Sequence, residues 1–262
     1  MPRRVNLIPM AGAGQRFVDA GFQVPKPLID VGGLPMIVHA ARSLPPPDHW
    51  VFVCRSEHIV AANIDVVLSQ LFAPCSIVQV DRLTDGQAST CLLARDLLRE
   101  DDILTIGACD NAMTWSPAQW HLEAADPATD FLVWTFRHNP AVLQDPRMYG
   151  WVRLNVSGEV NSISVKVPIS GRPMEDHAII GAFTFRRAAD FLQACDDMIA
   201  ANARINNEFY VDQAINYALS RGLRGRPFEV DRYICWGTPQ DLAIYEYWRG
   251  YFQQAAIRSV RS

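Results

Sequence analysis

The sequence predicts an α/β fold, a mostly parallel mixed sheet flanked by helices, with a β-rich portion after it. Apolar strand-like runs alternate with helical patterns over roughly the first 110 residues, the signature of a parallel sheet wrapped by helices. Four strand-like runs divided by turn residues follow. Hydrophobic residues make up 49% and charged residues 20% of the 262, as in a globular chain with a sizeable core.

In chain order, Val5 to Pro9 reads as a buried strand that stops in a Gly-Ala-Gly turn. Pro35 opens a helix with Met36, Ile37, Ala40 and Ala41 on one face. A strand over His49 to Cys54, a helix over Ile59 to Phe72, a strand over Ser76 to Val80, a helix over Ala88 to Leu98 and a strand over Asp102 to Ile106 complete the alternation. The β-rich portion comprises Phe131 to Arg137, Tyr149 to Leu154, Ser162 to Val167 and Ala178 to Phe185, with turns such as Asn139-Pro140 and Ser157-Gly158. Helices return over Ala188 to Asn202 and Tyr210 to Ser220. A strand over Pro227 to Val230 and a helix over Pro239 to Ala256 close the chain. Neither a repeat nor a Pro/Gly/Ser linker interrupts it, so residues 1–262 are expected to form one domain.

A net charge of −4 argues against nucleic acid as a partner. No apolar run reaches membrane-spanning length, the N-terminal one is too short for a signal peptide, and a cytoplasmic location is the default expectation. Cys54, Cys75, Cys91, Cys109, Cys195 and Cys235 form no Cys-x-x-Cys pair and read as reduced, mostly buried thiols. The six histidines share no metal-ligand spacing. Of 24 basic residues only Lys26 and Lys166 are lysine. A compact ammonium in place of a planar guanidinium singles these two out as point charges for phosphate oxygens.

The segment Pro9-Met10-Ala11-Gly12-Ala13-Gly14-Gln15-Arg16-Phe17 places glycines directly after a strand, where backbone N–H groups can approach phosphate and Arg16 adds a forked donor at the rim. It is neither a dinucleotide fingerprint, which wants a third glycine at Phe17, nor a P-loop, which wants a Gly-Lys-Ser/Thr end. Asp110 follows the strand at Ile106 closely, at the carboxyl edge of the sheet where open α/β folds bind ligands, and one carboxylate beside phosphates suits Mg²⁺. Asp101-Asp102 read as solvated turn residues. Glu208 and Asp212 suit the start of a helix, with acceptor binding as the alternative. The run Tyr245, Tyr247, Trp248, Tyr251, Phe252 reads as a packing face or a subunit contact, which leaves self-association open.

The Gly-x-Gly-x-Arg-Phe loop with Pro25-Lys26-Pro27-Leu28 downstream resembles the sugar-phosphate nucleotidyltransferases, most closely a bacterial subset found with capsule and surface-polysaccharide genes. Asp85-Gly86-Gln87-Ala88 is similar to that family's base-binding loop, Cys109-Asp110 to its metal-binding aspartate, and Gly237-Thr238-Pro239-Gln240-Asp241-Leu242 to its Gly-Thr-Pro-Glu-Asp-Leu. The resemblance implies a Rossmann-like fold with a β-rich acceptor-binding excursion, a nucleotide-binding part over 1–130 and an acceptor-binding part over 131–262. It implies that Arg16, Lys26 and Asp110 are catalytic and that Ala11, Gly12, Ala13, Gly14, Gly86 and Gln87 hold the nucleotide. By the same resemblance Lys166, Gly150 and Glu208 hold the acceptor, and Asp110 binds Mg²⁺.

Two positions depart from the pattern. Cys235 stands where members often carry a second metal-binding aspartate, which leaves Asp231 or Glu229 as candidates to help. Val165-Lys166-Val167 stands where they often read Glu-Lys-Pro, whose glutamate commonly binds a sugar hydroxyl. The expected reaction joins a nucleoside triphosphate to a phosphorylated acceptor, a sugar 1-phosphate, and releases pyrophosphate. The alternatives are a cytidylyltransferase for a phospho-amino alcohol or phospho-amino acid and a silent nucleotide-binding regulator. A glycosyltransferase would want an Asp-x-Asp that Cys109-Asp110-Asn111 does not supply.

Overall fold

The computed structural model describes residues 2–260, with side chains through 255. Its first strand, β1 (Arg4–Met10), is buried on both faces between two parallel neighbours, and its one internal polar side chain, Asn6, donates to the Pro45 carbonyl at 2.9 Å. The chain then forms a short helix α1 (Gln15–Asp19), a two-residue hairpin of β2 (Asp30–Val31) and β3 (Leu34–Pro35), and α2 (Met36–Arg42). Next come β4 (His49–Arg55), α3 (Ser56–Ala62), α4 (Ile64–Leu71), β5 (Cys75–Val80), α5 (Gln87–Leu92) and β6 (Ile103–Ile106). The excursion begins with β7 (Asn111–Thr114), α6 (Pro117–Ala125) and β8 (Phe131–Phe136), and continues through β9 (Gly150–Leu154), β10 (Val160–Val165) and β11 (His177–Phe185). Helices α7 (Ala188–Ala200) and α8 (Val211–Ser220), strands β12 (Gly225–Glu229) and β13 (Arg232–Cys235), and helix α9 (Pro239–Val260) follow.

Nine strands share one mixed sheet in the order β10-β9-β11-β6-β1-β4-β5, with β8 beside β11 and β12 beside β8. Pairing is parallel in β6-β1-β4-β5 and between β12 and β8, and antiparallel around β9, β10 and β11. The β11 strand positions the site. Its first residues pair with β9 (Ala178 with Trp151), whereas its last pair with β6 (Phe183 with Ile106). The register breaks between Ile179 and Phe183, where Gly181 takes φ 78°, a conformation that suits glycine. At this bulge β11 changes partner, and a gap opens between the carboxyl end of β6 and the start of β9. Open α/β sheets bind ligands in such switch-point crevices.

The structure revises several expectations. The helix expected over Ile59 to Phe72 is two helices, because Asn63 adopts φ 48°, the left-handed turn that asparagine tolerates and that ends a helix. The helix expected over Ala88 to Leu98 stops at Leu92 and resumes as a single 3₁₀ turn at Arg95–Leu97. Helix α6 and the small β7–β13 ribbon were not anticipated. On α9 Tyr245 of the aromatic run packs edge-on to Trp236, while Tyr247, Trp248, Tyr251 and Phe252 contact one another and stay exposed. Among the described residues no helix is long and apolar enough to cross a membrane.

Asp102 is the clearest correction. It is not a solvated turn residue: its side chain is fully buried, forked by the Arg3 guanidinium at 2.6 and 3.0 Å, and it accepts the Arg99 N–H at 2.8 Å. Removing one partner of a buried charge pair strands the other. Asp102→Ala is therefore expected to lower unfolding free energy by about 2–3 kcal/mol, and Asp101→Ala, at an exposed site, by less than about 0.5 kcal/mol. Urea titration of both variants reads the difference; equal midpoints would contradict it.

Candidate active site

Four segments converge on the gap. The first is the loop after β1. Gly14 sits at φ 62°, where it begins α1, and none of the Gly12, Ala13 or Gly14 N–H groups is used inside the protein among the described residues. A Cβ on Gly12 would meet nothing within 4 Å, so the space above it is open. Ala11 is buried beneath the loop, and Arg16 is exposed at its rim with no ion pair among the described residues. The loop thus offers backbone donors unused within the protein beside open space, as an anion-binding nest does.

The second segment is the 3₁₀ turn Lys26–Leu28. Lys26 Nζ lies 2.6 Å from Asp110 Oδ2, 3.2 Å from the Gly237 carbonyl and 5.4 Å from the centre of the Phe17 ring. Burial is the largest influence and works against its charge, but its neighbours together, the Asp110 carboxylate first among them, hold the ammonium above its ordinary pKa. The third is the β6–β7 connection. Asp110 leaves the sheet there, its carbonyl accepts the Trp236 N–H at 2.8 Å, and Asn111 donates to the Ile180 carbonyl in the β11 bulge. The β7–β13 pairing, Asn111 opposite Cys235, is what carries Gly237 and Thr238 to Lys26.

The fourth is the set of residues around Lys166. Lys166 follows β10 at φ 61°, and its Nζ donates to the Met148 carbonyl and lies 5.5 Å from the Tyr210 ring. Burial lowers its pKa, and the charges of Asp212, Glu208 and Asp110 oppose this while that of Arg16 adds to it. Gly150, opposite Val165 in the β9–β10 pair, is buried, and Glu208 is exposed beside Gly86. Gly86 itself is locked into place. Phe209 donates to the Asp85 carbonyl at 2.7 Å and Ala88 donates to the Phe209 carbonyl at 2.9 Å, zipping the Gly86–Gln87 turn to the segment before α8. A cleft of about 930 Å³ flanks this turn along β5, from Val78 to Asp85 and Ser89, but Lys26, Asp110 and Lys166 do not line it.

The structure thus brings together Gly12–Arg16, Lys26, Asp110, Gly86–Gln87, Lys166 and Glu208. It removes Asp231 and Glu229 as metal helpers. Asp231 is exposed beside Thr114, at the far end of the β13 ribbon, roughly 13 Å along the strand from Cys235. Glu229 is forked by Arg137 at 2.7 and 3.0 Å. One group near the gap went unassigned, Gly181, whose bulge no sequence pattern marks; Asp212 was read first as a helix-dipole charge, with acceptor binding as the alternative.

No group of three or more His, Cys, Asp or Glu able to cage a metal exists among the described residues. Cys235 is no hard donor, since burial and then Asp110 push its thiol up to about 12. Its alkylation by iodoacetamide at pH 8 is expected to run about 100-fold slower than that of free cysteine, because thiolate scarcity outweighs the greater nucleophilicity of a high-pKa thiolate. Peptide mass spectrometry over time measures this, and labelling at the free-cysteine rate would refute it. None of the six cysteines is in a disulfide.

No protein-family model and no curated protein matches the sequence, but solved structures match its fold over nearly its whole length. A nucleoside-diphosphate-sugar pyrophosphorylase from Vibrio cholerae RC9 superposes with a TM-score of 0.75 at 21% identity, over 92% of this chain and 98% of that one. The chain shares its fold. A UDP-glucose pyrophosphorylase complexed with UDP-glucose matches with a TM-score of 0.74 at 16% identity, over 97% of this chain and 100% of its own. The inositol-1-phosphate CTP transferase from T. maritima matches at 0.70 and 14%, over 94% and 95%. The mixed, switch-point sheet is therefore the fold that these three structures share.

Proposed function

We propose that this chain is a nucleotidyltransferase of the EC 2.7.7 class, moving a nucleoside monophosphate from a nucleoside triphosphate to a phosphorylated acceptor, a sugar 1-phosphate, and releasing pyrophosphate. The observation that carries this reading is the Lys26–Asp110 pair, held between a loop of free N–H donors and the gap that Lys166 faces. One half-buried ammonium, Lys26, is read as serving the donor side and one, Lys166, the acceptor side, the charge layout for bringing two phosphates together. The structures that share this fold are nucleotide-sugar pyrophosphorylases and a CTP transferase by their descriptions.

In this reading the Gly12–Gly14 N–H groups and Arg16 hold the β- and γ-phosphates, and Gly86 and Gln87 hold the base. Lys26 neutralises charge around the α-phosphorus, and Lys166 orients the acceptor phosphate in line. An acceptor oxygen forms the new bond to the α-phosphorus while the bond to the bridging α–β oxygen breaks and pyrophosphate carries away that electron pair. No general base is required, because a phosphate monoester is ionised near neutral pH. Asp110 keeps one carboxylate oxygen free of Lys26, and a lone carboxylate beside phosphates suits Mg²⁺, which takes one or two protein carboxylates and fills its shell with phosphate oxygens and water. Bound there, the ion would neutralise phosphate charge.

A second reading, a CTP-dependent enzyme for a phospho-amino alcohol or phospho-amino acid, is favoured by one observation. Val165, next to Lys166, is buried and brings no carboxylate to a sugar. Pyrophosphate release with each triphosphate, Mg²⁺ and a panel of sugar, polyol and amino-alcohol phosphates tests both. Acceptor-dependent release from at least one pair is expected. Triphosphate binding with no release from any pair would instead make the chain a nucleotide-binding regulator.

A further inference from the structure

Gly150 has an unusual neighbour. A Cβ at that position would lie 2.1 Å from Asp212 Oδ1 and 3.1 Å from its Cγ, so the Asp212 carboxyl group occupies the space over the glycine. The placement is tertiary. Asp212 sits in the first turn of α8, where an acidic side chain ordinarily serves the helix, but the α8 cap is Tyr210 and no side chain caps it. The carboxylate is spent on packing against β9 instead.

That carboxylate is also unpaired. Among the described residues no other residue donates a hydrogen bond to it, and Lys166, the cation nearest to it in effect, directs its Nζ to the Met148 carbonyl. Burial pushes the Asp212 carboxyl up and the Lys166 charge opposes this, so the group lies in a poorly solvated space beside the acceptor-side ammonium. The carboxylate still reaches the surface, so a donor brought by a bound molecule can meet it.

We infer that Asp212 reads the acceptor, its carboxylate accepting a hydrogen bond from a hydroxyl or ammonium group that the acceptor carries close to the phosphate held by Lys166. This rests on the nucleotidyl-transfer reading, and it narrows the acceptor to phosphomonoesters with a nearby donor: a sugar or polyol phosphate, or an amino-alcohol phosphate. Simple alkyl phosphates fall outside the class. Gly150 then has a stated purpose, since any side chain there would evict the carboxylate.

The test is calorimetric binding of four probes to the full chain with Mg²⁺ and a non-hydrolysable triphosphate analogue. The probes are ethyl phosphate, 2-hydroxyethyl phosphate, phosphoethanolamine and glucose 1-phosphate. The wild type is expected to bind at least one donor-bearing probe 10-fold or more tightly than ethyl phosphate, and Asp212→Asn, which keeps the volume over Gly150, to erase most of that preference. Ethyl phosphate and the triphosphate analogue should bind the variant as they bind the wild type. A larger loss with phosphoethanolamine identifies an amino-alcohol acceptor, and a larger loss with glucose 1-phosphate a sugar. An unchanged preference, or an equal loss with all four probes, overturns the inference, and Asp212→Ser repeats the comparison should the first variant not fold. Pyrophosphate assays on the same samples separate the two claims. Turnover with an indifferent Asp212→Asn sinks this inference alone, whereas a donor-dependent binding contrast without turnover sinks the reaction alone.

Discussion

Lys26→Arg is expected to lower turnover by about 100- to 1,000-fold, the loss of about 3–4 kcal/mol of transition-state stabilisation, although it preserves the charge. The Lys26 ammonium fits between Asp110 Oδ2 at 2.6 Å and the Gly237 carbonyl at 3.2 Å, with the Phe17 ring on another side, and its side chain is only 18% exposed. A planar guanidinium cannot enter that slot without displacing the β13–α9 connection. Asp110→Asn leaves Lys26 partly buried without its counter-charge, so the two changes are coupled. The double variant should be no slower than the worse single, because both disrupt one unit. Steady-state kinetics on the three variants measure this. Lys26→Arg at near wild-type turnover would refute a reacting-centre role for this residue.

Gly86→Ala should be the most damaging glycine substitution in the site. Gly86 adopts φ 115°, ψ 178°, a region essentially restricted to glycine, and an added Cβ would lie 2.6 Å from the Phe209 nitrogen and 2.7 Å from its carbonyl oxygen. Both atoms belong to the hydrogen bonds that zip this turn to the α8 entry, so the backbone must part. We expect a loss of about 3–5 kcal/mol of stability and of nucleotide binding with it. Gly12→Ala is the informative contrast. Its Cβ meets nothing in the protein and its φ is ordinary, so stability should stay within about 0.5 kcal/mol while triphosphate affinity falls, because the methyl group enters the space for phosphate. Chemical denaturation and fluorescence titration separate the two effects. Equal stability losses would show that the Gly12 loop is merely a turn.

What the sequence made legible follows from local physics. The strands β1, β4, β5 and β6 are short apolar runs bounded by turn residues, and the Gly12–Arg16 loop and Lys26 stand out by residue type against an arginine-rich background. The missed features depend on distant partners. Asn111 to Thr114 has little strand character alone and is a strand because Arg232 to Cys235 pairs with it. The Gly181 bulge is visible only as a change of neighbour along β11. Asp102 was misread because burial by Arg3, 99 residues away, leaves no mark in its own neighbourhood. Asp212 was read first by its helix position, with acceptor binding as the alternative, and its packing over Gly150 on β9 leaves no local mark. The Gly12–Arg16 loop and Lys26 lie close in sequence and stand out by local pattern, whereas Lys166, Gly150 and Glu208 come from separate elements and were named only through the family resemblance.

The central claim is displacement at the α-phosphorus. Incubation with the preferred acceptor and triphosphate labelled with ³²P at either the α or the γ position tests it most directly. α-Label is expected to appear in an acceptor-linked nucleotide product and γ-label wholly in pyrophosphate, each only when acceptor is present. γ-Label in the acceptor, or α-label released as free nucleoside monophosphate, would contradict the account.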